Sequence, residues 1–144
     1  MIALAWEGDG RVTQRFGDNP TFYRQFGLAG HEGLDVALPI GTRVRSVGSL
    51  TVVEVGTDPL FAYGYYVKAR SEEGEDFLWA HLLPYDLPRP GSIRMAGEAV
   101  GWSGTSGRST GPHLHFGRRP KWWVRGGPYD GWDDPLPYCG AMEP

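Results

Sequence analysis

The chain has only four histidines, His31, His81, His113 and His115, and their placement could support metal chemistry. His113 and His115 are separated by one residue. On a strand such a pair points to the same face, with Cα atoms roughly 6.6–6.8 Å apart. Two imidazoles at that spacing converge on one small site, where one can bind a metal and the other can reach the metal's water. His31 and Asp35 form a second pair within His31-Glu32-Gly33-Leu34-Asp35. A helix would place them on one face, but the surrounding glycines and Pro39 disfavour a helix. A straight strand would hold their Cα atoms roughly 13 Å apart, so a bend or bulge at Gly33 is predicted to close the gap. Glu32 is expected to point away from its neighbour and is left out of the site. Two imidazoles and one carboxylate suit Zn²⁺, which in hydrolases takes three protein ligands and keeps a fourth position for water. The carboxylate lowers the net charge of such a site and the ion acidifies its water.

The elements that must carry these residues read as short strands between turns. With 22 Gly and 12 Pro in 144 residues, long helices are excluded and a mainly β fold follows. Residues 11–16 alternate polar and apolar. Residues 20–30 read as an aromatic loop. Residues 42–55 look like paired strands broken at Gly48. Residues 61–70 and 77–83 form a hairpin around a charged turn, and Pro84, Pro88 and Pro90 then exclude regular ladders. Residues 97–102 are a short strand, 103–112 a Gly/Ser/Thr loop, and His113-Leu114-His115-Phe116 resumes alternation. The tail from Pro120 is loop-like, and Asp130, Asp133 and Asp134 are accounted for by turn formation around Pro135. The large tryptophans are expected mainly in the core, with Trp122 and Trp123 the best placed to stack on a ligand.

The length favours one domain over residues 1–144, and 40% apolar with 22% charged residues reads as globular. A net charge of −3 excludes a nucleic-acid footprint. The one basic run, Arg118, Arg119, Lys121 and Arg125, is read as a solvated strand edge. Cys139 is the only cysteine, so no intrachain disulfide forms, and it is read as structural or incidental. No stretch approaches the ~20 apolar residues of a membrane span. A monomer is expected. The N-terminus lacks a basic region, an apolar run and a cleavage site.

Three segments carry a family resemblance. His31-Glu32-Gly33-Leu34-Asp35 followed by Pro39-Ile40-Gly41-Thr42 resembles the HxGxD…P.GT.V segment of the lysostaphin/LytM-type zinc metallopeptidases. Trp79-Ala80-His81-Leu82 resembles that family's YAHL. The run from Ser106 to Phe116 is similar to its STGRSTGPHLHF almost residue for residue, and the motifs occur in the family's order. The resemblance covers about residues 11–137. It implies that His31, Asp35 and His115 ligate one Zn²⁺ and that His81 and His113 are the catalytic histidines, without dividing acid from base between them. It implies metal-assisted hydrolysis of a peptide bond. Three departures stand out. The tyrosine that relatives carry before the first ligand has Tyr23 and, less favoured by its chemistry, Gln25 as counterparts. The YGN segment appears as Tyr63-Gly64-Tyr65. HLHFE is HLHFG, ending in Gly117.

The implied fold is an antiparallel β-sheet forming a substrate groove between four loops, with the zinc at its floor and little helix. The 103–112 loop is expected to wall the groove. The implied function is endopeptidase cleavage of the peptides of bacterial peptidoglycan, at Gly-Gly bridges or D-Ala–diaminopimelate cross-links, with loops 17–30, 56–62 and 84–90 governing the choice. The rivals are a zinc peptidase acting on other peptides and a non-catalytic binding or assembly module of the same fold. Such modules lose ligands or the catalytic histidine, whereas all five positions are filled here. Action at the cell wall, periplasmic or extracellular, combined with the N-terminus as read, implies a mature form, an excised domain or a phage-encoded lysin.

Overall fold

A computed structural model describes residues 4–139. Nine strands dominate it: β1 (Arg11–Gln14), β2 (Leu34–Ala37), β3 (Arg43–Arg45), β4 (Leu50–Thr57), β5 (Tyr65–Arg70), β6 (Asp76–Leu82), β7 (Ile93–Arg94), β8 (Ala99–Trp102) and β9 (His113–Arg119). Seven form an antiparallel sheet in the order β1-β2-β9-β6-β5-β4-β7, and β3 pairs with β8 in a small second sheet. The mainly β expectation holds. No helix among the described residues is long and apolar enough to cross a membrane.

Alternation along the central strands separates two faces. Leu34 lies opposite Phe116 and Val36 opposite Leu114, and Trp79 lies opposite Phe116 on the far side of β9. These five side chains are fully buried and form one cluster with Val67 and Val52 of the large sheet, Val44 and Val100 of the small sheet, and Trp6. Each such apolar side chain contributes roughly 1.5–3 kcal/mol through burial. The intervening residues, Asp35, His113 and His115, therefore face the other side, as period-two geometry requires.

Four sequence readings are corrected. Residues 20–30 are not simply a loop: Pro20–Tyr23 is a single α-helical turn, α1, continued by a 3₁₀ turn over Arg24–Phe26. Pro20 at the first helical position presets the backbone, and Phe22 and Tyr23 pack on Phe26 with ring centres 5.7 and 6.1 Å apart. Within residues 42–55, β3 and β4 do not pair with each other but enter different sheets. The basic run is only in part solvated: Lys121 and Arg125 are exposed. Arg118 and Arg119, however, end the central strand β9 and are only 8% and 4% exposed. Arg118 binds Glu75 and Asp133 while lying 4.0 Å over the ring of Tyr138. Arg119 binds Asp130 and sits between the rings of Trp123 and Trp132. Asp130 and Asp133 therefore latch the tail onto the sheet, while Asp134 accepts the Leu136 N–H in the turn at Pro135 and Asp130 also accepts the Gly126 N–H in an earlier turn. Cys139 is buried, as a structural cysteine should be.

Candidate active site

Strand register brings the first residues together. β2 and β9 are antiparallel neighbours with Asp35 directly opposite His115 and Ala37 opposite His113. Cross-strand partners share a face, so Asp35, His113 and His115 emerge side by side. His31 precedes β2, and the chain bends at Glu32 and Gly33, which folds His31 back over Asp35. The bend expected at Gly33 is present. It requires glycine because the ring of His115 lies against it, and a Cβ there would stand 2.7 Å from Cε1 and Nε2 of that ring.

Three ligand-type atoms converge. His31 Nε2 is 3.2 Å from His115 Nδ1 and 3.2 Å from Asp35 Oδ1, and His115 Nδ1 is 3.0 Å from Asp35 Oδ1. The orientation of His31 is fixed by the backbone, since its Nδ1 lies 3.2 Å from the carbonyl of Arg15. A carbonyl only accepts, so Nδ1 carries the hydrogen and Nε2 turns a lone pair into the cluster. Atoms bound tetrahedrally at ~2.0–2.1 Å lie roughly 3.3 Å apart, close to these separations. Three donors aimed at one point form a set that a divalent cation satisfies better than a shared proton, so the residues fit zinc. Burial opposes the charge on Asp35, but its close contacts with the His115 and His31 rings outweigh it and hold the carboxyl well below the usual carboxylate range. For His115, burial is likewise outweighed by the Asp35 hydrogen bond and the charges of Asp35 and Glu32, so its pKa is raised.

The other two histidines flank this cluster. His113 Nδ1 lies 2.9 Å from the carbonyl of Gly111, and its Nε2 is 3.8 Å from Asp35 Oδ2. His81 comes from β6, where the ladder to β5 slips between Tyr65 and Val67. The slip is a bulge, and His81 takes a left-handed conformation (φ 63°), which costs a non-glycine residue about 1–3 kcal/mol. That turn swings the ring to 4.6 Å from the ring of His113. His81 Nδ1 lies 2.7 Å from the carbonyl of Ser106. Both histidines thus donate Nδ1–H to backbone and present Nε2 as a proton acceptor. Burial, followed by the nearby charges of His115 and His113, pushes the His81 pKa down to about 4, so it is neutral near pH 7.

The loop that holds His81 is interlocked with its neighbour. Gly64 (φ 63°) and Gly107 (φ 76°) pass so closely that a Cβ on Gly107 would meet the Gly64 nitrogen at 2.4 Å. Ser106 Oγ donates to the Leu82 carbonyl at 2.7 Å and accepts the Tyr65 N–H at 3.0 Å.

These residues open onto a groove of about 620 Å³. Three stretches wall it: Gln14 to Leu28, Phe61 to Tyr63, and Arg108 to Thr110. The 103–112 loop is a wall as expected, whereas loop 84–90 contributes no lining residue, and neither do Trp122 and Trp123. Tyr23, not Gln25, faces the groove. Its ring is 5.4 Å from that of His31 and its hydroxyl is 3.1 Å from Gln14 Nε2. Burial, only partly offset by the Gln14 hydrogen bond, pushes Tyr23 up to about 12, so it remains an O–H donor. Gln25 instead donates to the Phe22 carbonyl.

All five sequence-selected residues, His31, Asp35, His81, His113 and His115, line this groove. Sequence reading missed Glu32, because strand alternation was extended across a bend; its carboxylate lies 3.5 Å from His115 Nε2. It also missed Gln14 and Ser106, which act through a tyrosine hydroxyl and a backbone carbonyl that no local spacing reveals.

The sequence profile of Peptidase family M23 matches residues 29–128. The DD-carboxypeptidase/endopeptidase Mpg of Neisseria meningitidis is 39% identical over 89 residues, which is 62% of this chain and 20% of that protein. The peptidoglycan DD-endopeptidase ShyA of Vibrio cholerae is 34% identical over 116 residues, 80% of this chain and 25% of that protein. The chain thus spans about a fifth to a quarter of the length of these relatives. Among solved structures, the catalytic domain of lysostaphin from Staphylococcus simulans superposes with a TM-score of 0.67 at 28% identity, covering 94% of this chain and 93% of that one.

Proposed function

The chain belongs to peptidase family M23, and from that premise we propose that it is a zinc-dependent endopeptidase that hydrolyses peptide bonds of bacterial peptidoglycan at the cell wall. The observation that carries this reading is the convergence of His31 Nε2, Asp35 Oδ1 and His115 Nδ1 within 3.2 Å of one another, flanked by two histidines with free Nε2 atoms. We assign one Zn²⁺ to that triad and treat residues 1–144 as one catalytic domain.

Zinc, when bound, supplies Lewis-acid polarisation and an acidified water. The chain's own residues supply the proton traffic. His81 and His113 each have Nδ1–H committed to a carbonyl, so each can take a proton at Nε2 from the attacking water. As the C–N bond breaks, a proton returns from the same pair to the leaving amine. The Tyr23 hydroxyl, held by Gln14, donates to the carbonyl oxygen as negative charge develops there. The groove walls keep an extended peptide aligned across this pair and limit access of bulk water.

A non-catalytic module is disfavoured because all five positions are filled and oriented. The test is incubation of zinc-loaded protein with intact crosslinked peptidoglycan, with released fragments identified by mass beside a His81→Ala control. Cleavage by the parent alone supports the reading, and the fragment masses name the bond. Intact sacculi of both Gly-Gly and diaminopimelate chemotypes, with zinc bound, would overturn it.

A further inference from the structure

The ring of His115 uses Nδ1 toward Asp35 and His31, while its Nε2 is buried without a hydrogen-bond partner. A neutral imidazole that gives its Nδ1 lone pair to an ion carries its hydrogen on Nε2, and a buried N–H needs an acceptor. The strand itself offers none. The next residue of β9 on that face is Gly117, where the ring of Trp132 would stand 3.1 Å from an added Cβ. One face of the imidazole is covered by the stacked ring of Tyr63, 5.4 Å away at 26°. Against another part of the ring lies Gly33, which has no side chain.

The remaining neighbour is Glu32. Its Oε1 lies 3.5 Å from His115 Nε2, and its side chain is only 12% exposed. Among the described residues Glu32 has no other ion-pair or hydrogen-bond partner. It reaches this position because the bend at residues 32 and 33 breaks the alternation that would send it outward. A shift of about 0.5 Å brings the pair to hydrogen-bond distance.

We propose that Glu32 is a positioning residue for the metal centre: its carboxylate accepts the Nε2 hydrogen of His115, which fixes the ring tautomer that directs Nδ1 to the ion. This rests on the reading of His31, Asp35 and His115 as ligands. Glu32 touches no reacting atom, and its effect passes through His115.

Zinc affinity of the parent, Glu32→Ala, Glu32→Gln and His115→Ala proteins is measured by competition with a chromogenic chelator, and histidine ring signals are followed by ¹⁵N NMR. Glu32→Ala is expected to bind zinc about 10–100-fold more weakly and to lose the slowly exchanging Nε2–H signal of His115. Glu32→Gln keeps an acceptor oxygen and should stay within a few-fold of the parent with the signal retained. Parent-like affinity in Glu32→Ala would overturn the proposal, as would a Glu32→Gln variant as weak as Glu32→Ala, since charge alone would then be acting. Undiminished affinity in His115→Ala would overturn the ligand reading and this proposal with it.

Discussion

Gly33 lies against the His115 ring so closely that a Cβ would stand 2.7 Å from two ring atoms and 2.7 Å from the Phe116 carbonyl oxygen. A glycine between two metal-type ligands is therefore a packing requirement set by a third, which sits 82 residues further along the chain.

Gly33→Ala follows from this directly. Neither the ring nor the backbone carbonyl can yield cheaply, so the variant is expected to lose about 1–3 kcal/mol of stability. Displacement of the His115 ring should also weaken zinc binding by at least tenfold. Denaturant melts of the metal-free protein and chelator competition measure the two effects separately.

His81 combines a chemical role with backbone strain. His81→Ala and His81→Gly both remove the ring and should both abolish peptidoglycan cleavage while zinc binding persists. They should differ in stability. At φ 63° alanine pays the left-handed penalty and glycine does not, so His81→Gly is expected to be more stable than His81→Ala by about 1 kcal/mol. Equal melting temperatures would remove the strain argument.

The same residue makes stability depend on pH. The His81 pKa is pushed down to about 4 by burial first and then by neighbouring positive charge, against roughly 6.5 when unfolded. Above pH 6.5 the ring is neutral in both states and nothing is lost. As pH falls from 6.5 toward 4 the unfolded chain takes up a proton that the folded one resists, so stability declines, by at most about 3 kcal/mol. The gap in unfolding free energy between metal-free parent and His81→Ala should narrow across that window. A constant gap from pH 7.5 to 4 would refute the assignment.

Much of the site is legible in the sequence because its geometry is local. His113 and His115 needed only the two-residue period of a strand, and His31 and Asp35 only a bend that Gly33 announces. The resemblance of Trp79-Ala80-His81-Leu82 to the family's YAHL motif then supplied His81. What could not be read has non-local causes. Glu32 escaped because a bend inverts the face predicted by alternation. Arg118 and Arg119 were misread as an edge because strand order is set by pairing between distant segments, which places β9 between β2 and β6. The helical turn at Pro20–Tyr23 was hidden by its brevity.

The misread arginines give a stability contrast. Arg118→Ala removes the partner of Glu75 and Asp133 and the guanidinium over Tyr138. With Glu75 and Asp133 partly exposed, a loss of about 2–3 kcal/mol is expected. Lys121→Ala, at an exposed side chain, should stay within about 0.5 kcal/mol of the parent. Urea unfolding of the two variants compares a latch with a solvated charge, and similar midpoints would restore the edge reading.

Tyr23 separates transition-state stabilisation from metal binding. Its hydroxyl faces the groove beside His31, stays protonated with a pKa pushed up to about 12, and has Gln14 as its fixed partner. An O–H donor held in place acts mainly on charge that develops during the reaction, so its loss should appear in kcat and leave KM little changed. Tyr23→Phe keeps the ring against His31 and removes only the oxygen. It is expected to lower kcat about 100-fold, with zinc affinity unchanged because no ligand atom is touched. Gln14→Ala leaves the hydroxyl in place without its anchor and should fall between Tyr23→Phe and the parent. Steady-state cleavage of a soluble peptide substrate, alongside chelator competition, distinguishes these outcomes. A Tyr23→Phe enzyme with undiminished kcat would assign oxyanion stabilisation to His81 or His113 instead.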